Sequence, residues 1–130
     1  MNLTLFVLNL LAAVALLVVT LITGKRGLKQ LHMRMAVITV VVLLLAVLQA
    51  DLYGHGFTFE TVKLQVHLVF AFATLFAIPP VIFTGWKLRN SGQWRRTHLR
   101  FVGLFVICVL LAVATACFMF IDAVPKEAIA

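Results

Sequence analysis

The sequence predicts an all-α integral membrane protein, folded as a four-helix up-and-down bundle with both termini outside (N-out/C-out). Three observations support this prediction. Hydrophobic residues make up 64% of the 130 residues and charged residues only 12%, whereas an average soluble domain is about half apolar and about a quarter charged. Four apolar stretches of membrane-spanning length follow one another, and the basic residues gather at alternate connections between them. An ordinary soluble domain is excluded, because 130 residues cannot enclose so much apolar surface.

Each predicted span is long enough to cross the bilayer, since a membrane helix needs about 20 mostly apolar residues. The spans are expected at about 3–24, 34–53, 64–87 and 99–122. The first lacks a preceding basic segment and a small-residue cleavage site, which favours a retained span over a signal peptide. Four helices with short connections leave no room for a second domain, so residues 1–130 are expected to form a single transmembrane domain.

The charged residues predict the orientation of the bundle. Nine of the eleven Lys and Arg residues lie in the first and third connections or at the adjoining helix ends: Lys25, Arg26, Lys29, Arg34, Lys87, Arg89, Arg95, Arg96 and Arg100. All four acids lie on the other side: Asp51, Glu60, Asp122 and Glu127. The positive-inside rule then places both basic connections in the cytoplasm. Trp86 and Trp94 lie near the cytoplasmic headgroups and Tyr53 near the outer ones, as aromatic belt residues do.

This asymmetry also accounts for the net charge of +7. The favoured explanation is a topology signal combined with attraction to anionic lipid headgroups. Docking of an acidic cytoplasmic partner is the alternative. Nucleic acid is excluded as a partner, because the chain has no soluble fold that could present these charges.

Two consecutive prolines, Pro79 and Pro80, lie in the middle of the third span. They remove two amide donors, so the carbonyls four residues earlier lose their helical partners and a kink is predicted. In lipid these carbonyls need other donors. Thr74, Thr84 or a neighbouring helix are the candidates. Such a kink is typical of a packing device, with a hinge or the wall of a cofactor site as alternatives.

The two cysteines are not predicted to carry chemistry. Cys108 and Cys117 lie nine residues apart on the fourth span, about 180° around a helix axis. They cannot bond to each other or share a metal. Both are expected to be buried thiols that pack like small apolar side chains.

The four histidines form two pairs, one at each membrane face, and histidine is the residue type here best suited to binding chemistry. His32 and His98 both precede spans that run from inside to outside, so both lie at helix N-termini on the cytoplasmic side. The second and fourth helices of an up-and-down bundle run parallel, which lets the two rings converge. A bis-histidine haem is possible there, with its propionates among the basic residues. The alternative is two interfacial side chains bonded to phosphate or to loop carbonyls.

His55 and His67 bracket the outer connection, close to two acids. Asp51 precedes His55 by four residues, so the two share a face if the second helix continues, and Glu60 precedes His67 by seven. Two imidazoles with one or two carboxylates can hold copper, zinc or iron, or a carboxylate can orient a ligating ring by hydrogen bonding. The alternative is a simple polar cluster at the level of the headgroups.

The order of these features resembles the membrane family called domain of unknown function 420, which includes the CtaM-like maturation factors of haem-copper cytochrome oxidase. The matching elements cover nearly the whole chain: Gly24-Lys25-Arg26-Gly27 with Leu31-His32-Met33, Tyr53-Gly54-His55-Gly56, Val66-His67-Leu68 followed by Pro79-Pro80, Arg96-Thr97-His98-Leu99-Arg100, and a fourth span with Thr115. The chain resembles a divergent member, because Leu52 stands where family members often have a second histidine in the outer turn.

The resemblance implies a multi-pass accessory protein of the bacterial plasma (inner) membrane. It would handle haem or copper through its histidine pairs during assembly of a terminal oxidase, in contact with lipids and with other subunits of a respiratory complex. No enzymatic activity is expected, because the sequence has no nucleophile with a partner base, no phosphate-binding loop and no pair of carboxylates within a span.

Two other classes of function remain as alternatives. One is a structural or electron-transfer subunit of a larger respiratory or energy-transducing complex, with one bis-histidine haem or no cofactor. The other is a transporter, which is the least favoured, because the spans lack buried charge and inverted repeats.

Overall fold

The computed structural model describes residues 3–129 and is 88% helical. Its four long helices are α1 (Leu3–Lys25), α2 (Lys29–Gly54), α3 (Thr61–Asn90) and α4 (Arg95–Ile121). Two short strands, β1 (Phe57–Thr58) and β2 (Val124–Pro125), pair in a two-stranded sheet. Two 3-10 turns cover Gly92–Trp94 and Lys126–Ala128.

All four helices are long and apolar enough to cross a membrane, which confirms the four predicted spans. The helices extend beyond the predicted apolar bounds: α2 begins at Lys29 and α3 runs from Thr61 to Asn90. Hydropathy marks only the part of a helix that suits hydrocarbon, whereas the backbone hydrogen bonds continue into the headgroup region. The up-and-down arrangement and the N-out/C-out orientation remain predictions.

The chain divides into two compact units, one ending at Phe57 and the other beginning at Thr58. The first unit is a hairpin of α1 packed on α2, and the second is a hairpin of α3 packed on α4. In the first hairpin, Gly27 adopts φ +73°, a conformation that suits glycine because it has no Cβ. The amide of Leu28 bonds to the carbonyl of Thr23, and the amide of Gly27 to that of Gly24. This Schellman motif ends α1.

The buried side chains of the first hairpin are small or hydroxyl-bearing, whereas the second hairpin also buries the larger Ile78, Phe105, Val109 and Met119; most other large apolar side chains face outward. The buried residues include Ala13, Thr20, Thr23, Thr39 and Ala46 in the first hairpin and Thr74, Ala77, Thr84 and His98 in the second. The exposed large apolar residues are mainly Leu, Val, Ile and Phe. Helices that pack in lipid use small residues and hydroxyls in this way, because lipid tails are as apolar as leucine.

The α3 helix continues through Pro79 and Pro80 without a break. The hydroxyl of Thr74 donates to the carbonyl of Phe70 at 2.9 Å, and that of Thr84 to the carbonyl of Pro80 at 2.7 Å. The two threonines therefore do not replace the donors lost by the carbonyls of residues 75 and 76, and that part of the prediction was wrong. A serine or threonine hydroxyl in a helix reaches the carbonyl of its own preceding turn most easily. The kink itself remains a prediction.

The two cysteines are free thiols with different surroundings: Cys108 is buried and Cys117 is exposed. The prediction that both are buried was wrong for Cys117. The physical reason is their spacing, because nine residues place them on opposite sides of α4 and only one side packs against α3.

Candidate functional site

His32 is the fourth residue of α2, and its ring packs against the end of α1. Its Nδ1 lies 2.8 Å from the carbonyl oxygen of Thr20. A carbonyl can only accept, so Nδ1 carries the proton and donates it. In the neutral ring the lone pair is then on Nε2, the nitrogen that such a histidine offers to a metal.

Gly24 makes room for this ring. A Cβ at Gly24 would lie 2.9 Å from two ring atoms of His32, closer than carbon atoms approach without a shift. The ring therefore occupies the place where any other residue would carry its side chain. Gly24 thus serves the packing of α2 against α1, whereas Gly27 ends α1.

Hydroxyl groups surround the backbone carbonyl that holds His32. The Thr20 hydroxyl lies 2.7 Å from that of Thr39, which joins α1 to α2. The hydroxyl of Thr23 donates to the carbonyl of Thr20 at 2.9 Å. The same carbonyl therefore accepts from a threonine and from an imidazole, which fixes the orientation of the His32 ring.

His98 is the fourth residue of α4 and occupies a similar site in the second hairpin. Its Nδ1 lies 3.0 Å from the hydroxyl oxygen of Thr84. That hydroxyl also bonds to the carbonyl of Pro80 at 2.7 Å, and when its proton lies there, the imidazole is the donor and Nε2 is unprotonated, as in His32. A Cβ at Gly85 would lie 3.1 Å from the ring. Only 8% of His98 is exposed.

The two sites repeat one sequence pattern, which the predictions above missed. Each hairpin has a Thr-Gly pair near the end of its first helix, Thr23-Gly24 or Thr84-Gly85. Each second helix begins with a basic residue, any two residues, histidine, an apolar residue and arginine. The two segments are Lys29-Gln30-Leu31-His32-Met33-Arg34 and Arg95-Arg96-Thr97-His98-Leu99-Arg100. From this internal similarity, the sequence could have predicted that each of the two histidines packs against a glycine of the preceding helix.

His67 lies near the start of α3 and bonds to the end of α4. Its Nδ1 is 3.1 Å from the carbonyl oxygen of Ala112 and 3.2 Å from the hydroxyl oxygen of Thr115. The Thr115 hydroxyl donates to the carbonyl of Leu111 at 2.7 Å. His67 is therefore the donor, and its Nε2 carries the lone pair.

His55 differs from the other three histidines, because it is exposed and follows the end of α2. Its Nδ1 lies 4.0 Å from a carboxylate oxygen of Asp51, and both side chains are about 70% exposed (70% and 69%). Glu60, in the second unit, pairs with Lys63 at 3.3 Å. Lys63 also forms an ion pair with Asp122 and lies 4.7 Å from the centre of the Phe118 ring.

Three of the four histidines, His32, His67 and His98, are thus held by backbone or hydroxyl groups of their own hairpin. His32 and His55 belong to the first unit, and His67 and His98 to the second. The convergence of His32 with His98, and of His55 with His67, therefore stays a prediction. Among residues 3–129, no group of three or more His, Cys, Asp or Glu side chains is placed to hold a metal ion.

Comparisons with models of protein families, with curated proteins and with solved structures find no match to this chain.

Proposed function

We propose that this chain is a small membrane accessory protein that holds haem through histidine Nε2 atoms at the basic ends of its hairpins, as a maturation factor for a cytochrome oxidase would. The observation that carries the proposal is the shared geometry of His32 and His98. Each ring bonds through its Nδ1 to a fixed oxygen of the preceding helix. Metal-ligating histidines are oriented by this kind of bond, which leaves Nε2 as the ligand.

The donor set fits haem as a cargo. Haem iron takes one or two imidazole ligands from a protein, and the chain supplies one such imidazole in each hairpin. His32 is half-buried and His98 is buried, so His32 is the more accessible ligand and His98 the second. A protein that passes haem onward needs an accessible ligand, since a buried one releases slowly.

The resemblance to the oxidase maturation family supports the same proposal and adds its setting. The protein would work in the bacterial plasma membrane, beside the subunits of a respiratory complex, without being an enzyme. Four helices suited to crossing a membrane agree with a multi-pass protein.

The test uses a pair of variants that separates ligation from hydrogen bonding. His32→Asn keeps a donor near the position of Nδ1 but removes Nε2, whereas His32→Ala removes both. Purified protein is titrated with haem and the Soret band is recorded in both oxidation states. We expect the wild type to bind, His32→Asn to lose or alter the spectrum, and the unfolding stability of His32→Asn to stay near that of the wild type.

His55→Ala is the matched control, because His55 is exposed and its nearest charged partner is Asp51. This variant should keep the haem spectrum. A wild-type protein without a Soret band under oxidising and reducing conditions would refute haem binding. A spectrum that is unchanged in His32→Asn and in His98→Asn would refute these ligands.

Copper at the outer face is a second part of the proposal, and His67 favours it. His67 has its Nδ1 bonded to the partner helix, which again directs Nε2 to a ligand, and Asp51 lies beside His55. Expression with added copper, followed by metal analysis, tests this site. We expect His55→Ala and His67→Asn each to lower the bound copper, and unchanged copper in both would remove the site.

A structural or electron-transfer subunit is the competing function, and the same hydrogen bonds favour it. Each of His32, His67 and His98 already joins two helices of one hairpin, a role that needs no ligand. Blue-native gels of the membranes distinguish the two functions. A subunit stays with the mature complex, whereas a maturation factor leaves it after assembly.

A further inference from the structure

Three arginines line a shallow, open concavity at the start of α4. Its volume is about 550 Å³, and its lining residues are Gly92, Gln93, Arg95, Arg96, Leu99 and Arg100. Arg96 and Arg100 are four residues apart, so they lie on one side of the helix, one turn above the other. Arg95 adds a third guanidinium at the mouth of the same concavity.

No carboxylate balances these charges in the part of the chain that the structure describes. The acids of this hairpin lie at its other end, where Glu60 and Asp122 pair with Lys63. Asp122 follows Arg100 by 22 residues, a distance of about 33 Å along a helix. The countercharge for the arginines must therefore come from outside the hairpin.

The helix itself adds to the positive potential. Arg95 is the first residue of α4, and the first turn contains no acid, so the positive end of the helix dipole and the arginines act together. Guanidinium groups recognise phosphate oxygens with two parallel hydrogen bonds. Phosphate is therefore the anion chemistry that this concavity fits best.

The apolar surroundings distinguish a lipid from a soluble phosphate. Leu99 lines the concavity between the arginines and is 57% exposed. Trp86 is 56% exposed, and the Lys87 ammonium lies 5.3 Å from its ring centre. The Trp94 ring packs edge-on against Phe83, with 6.0 Å between the ring centres. Aromatic and basic side chains in this combination are typical of the headgroup level of a membrane.

We propose that this concavity is a binding site for the phosphate group of an anionic phospholipid, whose glycerol and upper acyl chain contact Leu99. Basic pockets at the cytoplasmic ends of membrane helices bind such headgroups. The site does not depend on haem or copper binding by the histidines. It gives the second hairpin a specific lipid contact in addition to the general attraction of its basic residues.

The test measures lipid binding to the purified full-length protein by native mass spectrometry. Dioleoylphosphatidylglycerol is the probe, and dioleoylphosphatidylcholine is the neutral reference lipid. The double variant Arg96→Gln/Arg100→Gln removes two charges from the concavity. The matched control Arg26→Gln/Arg34→Gln removes two charges from the basic end of the first hairpin, outside the concavity. Circular dichroism checks that each variant keeps its helix content.

We expect the concavity variant to lower the affinity for phosphatidylglycerol by at least about tenfold, and the control variant by less than about threefold. Affinity for phosphatidylcholine should change in neither. Equal losses in the two variants would mean that only total charge matters, and would overturn the site. Unchanged lipid binding in the concavity variant would also overturn it.

Two further arms identify the source of the phosphate. Inorganic phosphate or pyrophosphate at millimolar concentration should leave phosphatidylglycerol bound, and displacement of the lipid by either would assign the site to a soluble phosphate. Haem titration of the concavity variant is compared with its loss of phosphatidylglycerol affinity, which the lipid site predicts already in haem-free protein. Loss of haem binding with lipid binding retained would assign the arginines to haem propionates and overturn the lipid site. A protein that binds no haem at all would refute the proposed function and leave the lipid result unaffected.

Discussion

The α1–α2 hairpin and the α3–α4 hairpin carry the same sequence pattern at their basic ends but bury it to different depths. His32 and His98 are each the fourth residue of the second helix, and each ring packs on a glycine of the first. His32 is half-buried and bonds to a backbone carbonyl, whereas His98 is buried and bonds to a side-chain hydroxyl.

The two first helices also differ in length beyond the glycine. α1 ends one residue after Gly24, at Lys25, whereas α3 continues for five residues after Gly85, to Asn90. One pattern thus gives a half-buried ring in one unit and a buried ring in the other.

The largest expected effect is a difference in the free energy of unfolding between variants of His98 and of His32. Without haem, His98→Ala should lower the free energy of unfolding by about 2–4 kcal/mol, because it removes a buried ring and leaves a cavity. His32→Ala should cost about 1 kcal/mol, which is the usual size of one interhelical hydrogen bond in a membrane. Unfolding in mixed micelles with increasing dodecyl sulfate measures both. Equal losses would show that the depth of burial does not distinguish the sites.

The next effect comes from the two glycines. Gly85→Ala should cost about 1–3 kcal/mol, because the new methyl group meets the enclosed His98 ring. Gly24→Ala creates a closer contact, 2.9 Å rather than 3.1 Å, but should cost less, because the His32 ring can turn outward. Thermal unfolding of the two variants compares them. A larger loss for Gly24→Ala would mean that His32 is as constrained as His98.

A third prediction concerns two buried side-chain amides in the first hairpin that have an unpaired polar atom. Asn9 Nδ2 and Gln49 Oε1 are buried without hydrogen-bond partners. The stacking of Phe6 on Tyr53 and the Thr20–Thr39 contact set a register that puts Asn9 and Gln49 at the same level. The double variant Asn9→Leu/Gln49→Leu should therefore raise the free energy of unfolding by about 1 kcal/mol, because no buried polar atom is left unpaired.

Thr74→Val in the second hairpin is the control for that prediction, because the Thr74 hydroxyl is already bonded to Phe70. It should be neutral or slightly destabilising in the same unfolding measurement. If Asn9→Leu alone destabilises the protein strongly, the two amides interact with each other or with a bound group, and the prediction fails.

The smallest expected effects concern the ion pairs of the two hairpins, that of Asp51 with His55 in the first and those of Lys63 in the second. Lys63→Met should lower the stability measurably, because Lys63 forms ion pairs with both Glu60 and Asp122. Asp51→Asn should cost less than about 0.5 kcal/mol, because Asp51 and His55 are both exposed and 4.0 Å apart. Unfolding at low and high salt separates the pairs, and the cost of Lys63→Met should fall as salt rises. An equal cost for both variants at low salt would contradict the comparison.

The features of the fold that could be predicted from the sequence are those set by the hydrocarbon core of the bilayer. The four spans follow from uncharged stretches of sufficient length, because any backbone in lipid must satisfy its hydrogen bonds within a helix. The helix ends were less predictable, since α2 and α3 continue into charged sequence that a hydropathy criterion excludes. The burial of Cys117 was predicted wrongly, because an apolar residue in a membrane helix can face lipid or a neighbouring helix with little difference in cost.

The candidate site was predicted at the level of residue types. The histidines stand out in the sequence because ionisable groups near a span are rare and tend to be functional. Their hydrogen-bond partners were not predicted, since Thr20 and Thr84 contact His32 and His98 only after the helices pack. The pairing of Glu60 and Asp122 with Lys63 has the same origin.

By itself, the sequence determined that four helices of this protein suit a membrane and that its basic residues and histidines lie where those helices end. These properties depend on the spacing of residues along one chain, and a helix converts that spacing directly into position. Only the tertiary structure decided that His32, His67 and His98 each bond through Nδ1 to the other helix of their hairpin and that His98 is buried more deeply than His32. Those properties depend on which side of one helix meets another, a choice set by small residues such as Gly24 and Gly85 across the contact.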